Sequence, residues 1–169
     1  MSTSAFVIRP AGIADAAAIA STFTEAAQAA WRHIAPPERL DALEPQLETW
    51  RERLRAPSDD EAVFVAVSGN DVIGFVRTTA HADEPGVGYV DTLYTRPRVW
   101  GSGAGRALLD AGLGALRGAG CREAVLWTEE RSNRARHVYD TYGWQVDGGV
   151  QERTFLDSPI REVRYRITL

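Results

Sequence analysis

The order of strand-period and helix-period segments predicts an α/β fold in which a mixed β-sheet carries helices on both faces. Three stretches carry that reading. Residues 62–67 and 72–79 flank Ser68-Gly69-Asn70-Asp71, a strong hairpin signal. Residues 89–128 run strand, helix, strand, the order of a right-handed parallel crossover. Residues 146–155 and 162–169 bracket Asp157-Ser158-Pro159 as a closing strand pair.

Taken in order, residues 6–9 read as a short strand, and Asp15 reads as the cap of a helix over 16–32 whose Ile19, Phe23, Ala26, Ala27 and Ala30 share one face. Pro36-Pro37 breaks the chain. A second helix over 43–55 puts Leu43, Leu47, Trp50 and Leu54 at helical spacing and stops before Pro57. Beyond the hairpin, a strand over 89–95 feeds a glycine-rich turn and a helix over 103–118, with Leu108, Leu109, Leu113 and Leu116 inward. The apolar run Ala124-Val125-Leu126-Trp127 marks a buried strand over 123–128. In the last strand Val163, Tyr165, Ile167 and Leu169 alternate with Arg164, Arg166 and Thr168, so one face is buried and the other wet.

The 169 residues suffice for one compact domain spanning 1–169, and no long linker or internal repeat interrupts them. The 19 basic residues are nearly matched by 23 acidic ones, spread along the chain, which argues against a nucleic-acid or anionic-membrane surface. Cys121 is alone, so it forms no internal disulfide, and it reads as a small buried residue at a strand start. His33, His81 and His137 lack metal-ligand spacing, and no metal is expected. The amino-terminal Phe6-Val7-Ile8-Arg9-Pro10 does not read as a targeting signal, and no apolar run approaches the roughly 18 residues of a membrane span. A soluble, cytoplasmic protein is the expectation.

The most informative stretch is Trp100-Gly101-Ser102-Gly103-Ala104-Gly105-Arg106 at the start of the helix over 103–118. The first N–H groups of a helix have no internal partner and carry the positive end of its dipole, so a strand, a glycine turn and a helix in that order form an anion site. The spacing is not that of a dinucleotide fingerprint, because the third glycine comes one residue early. A nucleoside-triphosphate loop fails as well, since no Gly-Lys pair exists in the chain.

The segment resembles the acyl-CoA pyrophosphate loop of the GNAT superfamily of N-acetyltransferases, which follows a Leu-Tyr-Val-x-Pro strand end and reads Gln/Arg-x-x-Gly-x-Gly/Ala. Leu93, Tyr94 and Pro97 match the strand end, Gly103 and Gly105 match the loop, and Trp100 stands where Gln or Arg is usual. Further along, Ser132-Asn133-Arg134-Ala135 through Tyr139 and Gly143-Trp144 resembles that family's Asn-x-x-Ala-x-x-x-Tyr-x-x-x-Gly-Phe, with Ser132 in place of Asn and Trp144 in place of Phe. The resemblance implies a mostly antiparallel sheet of six to seven strands with a parallel central pair. It also implies that the strands over 89–95 and 123–128 splay to admit the pantetheine arm of acetyl-CoA, the co-substrate.

It implies, further, that Leu93, Tyr94, Thr95, Trp100, Gly101, Ser102, Gly103, Ala104, Gly105 and Arg106 hold the cofactor, with Ser132, capping the next helix, and Asn133 near the pantetheine. Arg131, Arg134 and Arg136 are candidates for the ribose phosphate. The chemistry implied is attack of a primary amine on the acetyl thioester, with Tyr139, at the family's general-acid position, giving a proton to the leaving sulfur. Asp91 is expected to share a face with Leu93 and to orient the amine or a relaying water. The first two helices and the closing strands are expected to shape the acceptor pocket, with Trp31, His33, Trp50 and Phe155 as an aromatic wall for a small-molecule or peptide amine. A non-catalytic acyl-CoA-binding module and a modifier of protein surfaces stay open as alternatives, and the closing strands offer an edge for a homodimer.

Overall fold

The computed structural model describes residues 6–80 and 83–169; His81 lies outside them. The chain forms β1 (Val7–Pro10), α1 (Ala16–Ala30), α2 (Pro37–Asp41), α3 (Leu47–Arg55), β2 (Glu61–Ser68), β3 (Asp71–Thr79), β4 (Val87–Thr95), α4 (Ala104–Gly118), β5 (Glu123–Glu129), α5 (Asn133–Tyr142), β6 (Gln145–Phe155) and β7 (Ser158–Thr168). The strands make one seven-stranded sheet in the order β1-β2-β3-β4-β5-β7-β6. Every neighbouring pair is antiparallel except β4 and β5, which run parallel with α4 as the crossover.

Strand alternation sends side chains to two faces, and each face has its own core. On one side Ala66, Ile73, Val76, Val90 and Leu126 meet Leu108, Leu109, Leu113 and Leu116 of α4, together with Tyr139 of α5. On the other, Val65, Val72 and Phe75 meet Ile19 and Ala20 of α1 and Trp50 of α3. The inward leucines expected of α4 are all buried there. Trp50 is not part of any acceptor wall: it is buried with its ring edge-on to Phe75 at 5.1 Å. Among the described residues no helix is long and apolar enough to cross a membrane.

Several boundaries differ from the sequence reading for local reasons. The helix expected over 43–55 starts only at Leu47, because Pro45 disfavours the helical conformation of the residue before it. Pro36-Pro37 does more than break the chain, since Pro37 opens the short α2, where its missing N–H costs nothing. The closing hairpin turns at Leu156 and Asp157, which both adopt positive φ (48° and 63°), and not at Asp157-Ser158-Pro159. Pro159 therefore sits in β7, in the stretch that overhangs β5, whose pairing begins at Glu162.

Asp15 does not cap α1 through its side chain. Its carboxylate accepts two hydrogen bonds from Arg9 and one from the Gly12 N–H, each 2.8 Å, tying β1 to the 3-10 turn before α1. The Arg9 guanidinium holds this carboxyl below the ordinary carboxylate range, with help from the Gly12 amide and against the opposing effect of burial. A depressed folded pKa stabilises the fold above the unfolded value near 3.9, and the contribution is lost as pH falls through the folded value. Asp15→Asn is expected to cost about 1–3 kcal/mol at pH 7, with the gap to wild type narrowing in denaturant titrations as pH falls through the lowered folded value. A gap that stays constant down to pH 2 contradicts this account.

Candidate active site

The site begins where the parallel strands part. β4 and β5 pair only at Val87↔Glu123, Gly88↔Ala124 and Tyr89↔Val125, although β4 continues to Thr95 and β5 to Glu129. Each is held by its outer neighbour, β4 by β3 and β5 by β7, so the inner edges diverge and open a cleft of about 1170 Å³. Backbone groups along β4 beyond Tyr89 face this cleft without a strand partner on that side.

The loop after β4 forms one end. Gly101 and Gly103 have φ of 83° and 89°, the left-handed region that costs a side-chain-bearing residue energy. Gly105 lies inside α4 with ordinary room around it, so its value is the access it leaves to its amide. Ser102 does not line the cleft; its hydroxyl accepts from the Ala104 N–H at 3.3 Å. Among the described residues the N–H groups of Gly103, Gly105 and Arg106 find no backbone or side-chain acceptor, and they lie at the positive end of a 15-residue helix.

Trp100, the departure from the usual Gln or Arg, donates its indole N–H to the Thr95 carbonyl at 3.1 Å and presents its ring to Arg134 of α5, whose guanidinium carbon lies 3.8 Å from the ring centroid. Arg106 lies over the Tyr142 ring at 4.9 Å, a second link between the loop side and α5. Arg131, Arg134 and Asn133 line the cleft, but Arg136 does not. The reason is that Arg136 is committed elsewhere, donating to the Tyr165 hydroxyl at 3.1 Å and to the Glu130 carbonyl at 2.8 Å. Ser132 lines the cleft without capping α5, since its hydroxyl donates to Glu129 at 3.3 Å.

Asp91 and Leu93 line the cleft from opposite faces of β4, contrary to the simple alternation expected for them. Arg77 pairs with Thr92 while Thr78 pairs with Val90, so Asp91 is the extra residue of a β-bulge and the parity changes there. Leu93 packs into the α4-side core, whereas Asp91 accepts from Thr79 at 2.7 Å and pairs with Arg77 at 3.2 Å on the other face. Burial raises the Asp91 carboxyl above its ordinary range, and the Thr79 and Arg77 contacts only partly offset that. Tyr94 lines the cleft while its ring packs edge-on to Phe23 at 5.0 Å.

Tyr139 of α5 sits on the same cleft, 8% exposed, between Trp144 and Tyr165. Burial pushes its phenol up to about 12, and no described group accepts its proton. At the far end, Trp31 after α1 meets Phe155 of β6 with ring centroids 4.2 Å apart, and on the surface Arg39 of α2 pairs with Asp157 at 2.7 Å, so the first helices and the β6–β7 hairpin touch there.

The sequence model of the Acetyltransferase (GNAT) family matches residues 21–144, well over half of the chain. The chain belongs to the GNAT acetyltransferase family. A mycothiol acetyltransferase of Rhodococcus jostii is 34% identical to this GNAT chain over 116 residues, which cover 62% of the chain and 38% of that relative. The chain thus matches well under half the length of that protein. Among solved structures, the PaiA N-acetyltransferase of Thermoplasma acidophilum in complex with coenzyme A is 19% identical, covers 94% of this chain and 98% of its own, and has a TM-score of 0.76. A GCN5-related N-acetyltransferase of Rhodopseudomonas palustris is 16% identical with a TM-score of 0.77, covering 100% of this chain and 99% of its own. At these identities the two structures establish the GNAT fold.

Two buried carboxylates of this GNAT site had no sequence signal. Glu129, 4% exposed at the end of β5, would be raised by burial, but the Arg131 guanidinium, the His33 ring and the Arg131 amide hold it below the ordinary range. Glu162 of β7, 7% exposed, accepts from Gln151 at 2.6 Å. The Trp100–Arg134 stack predicts energetic coupling. A double-mutant cycle of Trp100→Ala and Arg134→Ala, read by thermal unfolding, is expected to give a coupling of about 0.5–2 kcal/mol, and strictly additive losses contradict the contact.

Proposed function

We propose that the chain transfers the acetyl group of acetyl-CoA to the primary amine of a small molecule or short peptide. The observation that carries this reading is Tyr139, a buried phenol on the cleft wall whose proton no described group accepts and whose pKa, pushed up to about 12, keeps it a donor at neutral pH. Acetyl-CoA, when bound, supplies a thioester carbonyl for an amine to attack and a thiolate to leave.

The chain's own groups suit each remaining task. The free amides of Gly103, Gly105 and Arg106 at the α4 N-terminus fit a pyrophosphate, and the opened edge of β4 from Leu93 to Thr95 supports placing the pantetheine and polarising the carbonyl there. Arg131 and Arg134 lie on the wall where a ribose phosphate would need a cation. Tyr139 gives its proton to the departing sulfur. Asp91, with both oxygens bonded, is placed to orient the amine or a water beside it.

The aromatic pair Trp31 and Phe155 on the cleft wall supports a small-molecule or peptide amine as acceptor. The relatives named mycothiol acetyltransferase support acetyl transfer as the reaction class; with 38% of the R. jostii protein covered, the acceptor is read from this chain's cleft and not from their name. The competing reading, an acyl-CoA-binding module without turnover, draws on Trp100 and Ser132, which depart from the family pattern.

The test is thiol release from acetyl-CoA with a panel of phenethylamine, cadaverine, glucosamine and glycylglycine, alongside calorimetric binding of CoA. Tyr139→Phe is expected to lower kcat by about 10²- to 10⁴-fold with acetyl-CoA affinity nearly unchanged. Unchanged kcat where chemistry limits the rate overturns the acid role, and CoA binding without turnover on any amine favours the binding module.

A further inference from the structure

The acetyl-transfer reading leaves one proton without a taker. An amine reaches the site as an ammonium at neutral pH and must lose a proton before its nitrogen can attack. The carboxylates on the cleft are poor candidates. Asp91 has both oxygens engaged by Thr79 and Arg77, Glu129 has both engaged by Arg131, Ser132 and His33, and Glu162 is bonded by Gln151 with Arg153 at 3.7 Å.

His33 is different. It follows α1, lines the cleft, and places Nε2 3.1 Å from Oε2 of Glu129, so it spans from the acceptor-side wall to the end of β5. The buried Glu129 carboxylate selects the tautomer in which Nε2–H donates. That leaves the Nδ1 lone pair free, and no described group bonds it. Its side chain is 39% exposed, which gives the abstracted proton a route to water. A neutral imidazole with a free ring nitrogen is a common proton acceptor in catalysis.

We propose that His33, oriented by Glu129, is the general base of the reaction. This inference rests on the acetyl-transfer reading above. Nδ1 of His33 takes one proton from the ammonium, and the resulting imidazolium is held by Glu129 through Nε2–H. The freed nitrogen lone pair forms the C–N bond, and the C–S bond breaks. Tyr139 gives its proton to sulfur and regains one from the nitrogen as the amide forms. His33 returns its proton to water, so ammonium and thioester give amide, thiol and one solvent proton.

Glu129 of β5 contacts His33 directly, and the other charged side chains lining the same cleft are Asp91 of β4, Arg106 of α4, Arg131, Arg134 of α5, Arg153 of β6 and Glu162 of β7. The experiment uses acetyl-CoA and whichever of the four panel amines turns over fastest, with kcat and kcat/KM followed from pH 5 to 9. His33→Gln is expected to lower kcat by roughly 10²-fold, to remove the fall in kcat/KM on the acidic side, and to leave acetyl-CoA affinity within about twofold. His33→Ala is expected to regain activity with added imidazole, a response that a structural role would not produce. Glu129→Gln removes the carboxylate that orients the ring, so kcat is expected to fall while acetyl-CoA affinity stays within about twofold. Wild-type turnover with His33→Gln within threefold of it and an unchanged acidic limb, or His33→Ala that is inactive and not rescued while still folded, overturns the role of His33 and leaves the transfer reading intact. A wild-type protein that acetylates none of the four amines overturns both.

Discussion

Everything in this molecule that bears on chemistry depends on β4 and β5 ceasing to pair after Tyr89 and Val125. Two parallel strands that separate leave backbone donors and acceptors facing one another across a gap, and a fold does not leave such groups dry and unpaired without cost. The separation is held from outside. β5 stays zipped to β7 along its whole length, and β4 stays zipped to β3 and is anchored past its end by Arg96, which donates to the Val72 carbonyl at 2.9 Å and pairs with Glu25 of α1. The bulge at Asp91 adds the extra residue just where the strands begin to diverge, which re-aims β4 and turns a carboxylate toward Thr79 and Arg77, away from α4.

The gap thus has two chemically distinct ends. One is made by the start of α4, whose unpaired amides and dipole favour an anion, with Trp100 holding Arg134 beside it. The other is made by the chain after α1 and by the β6–β7 hairpin, where aromatic rings and the buried carboxylates Glu129 and Glu162 line the cleft. Tyr139 is buried on the wall of the same continuous cleft. A long, thin co-substrate with a phosphate-rich head and a reactive tip fits that polarity.

The parts of this arrangement that were legible in the sequence are those written in local pattern. The leucines of α4 repeat at helical spacing, Gly101 and Gly103 sit where positive φ is needed, and Tyr139 keeps its register from Ala135 to Gly143. What was hidden depends on tertiary context. A bulge is invisible in an alternating strand, so Asp91 was assigned to the wrong face. Trp50 carries the same hydrophobic signature whether it lines a pocket or fills a core, and Phe75 opposite it decides the matter. Arg136 looks like its neighbours Arg131 and Arg134 until the Tyr165 hydroxyl and the Glu130 carbonyl claim it. His33 and Glu129 are far apart in the chain and acquire meaning only when the loop after α1 meets the end of β5.

The most direct test of the central claim is a crystal structure of the protein with CoA bound. The account predicts the pantetheine lying between β4 and β5 beyond Tyr89, hydrogen-bonded to the freed edge of β4, with the pyrophosphate on the amides of Gly103, Gly105 and Arg106 and the sulfur within hydrogen-bonding reach of the Tyr139 hydroxyl. A CoA molecule bound elsewhere, or a structure in which β4 and β5 pair along their full length, would contradict it.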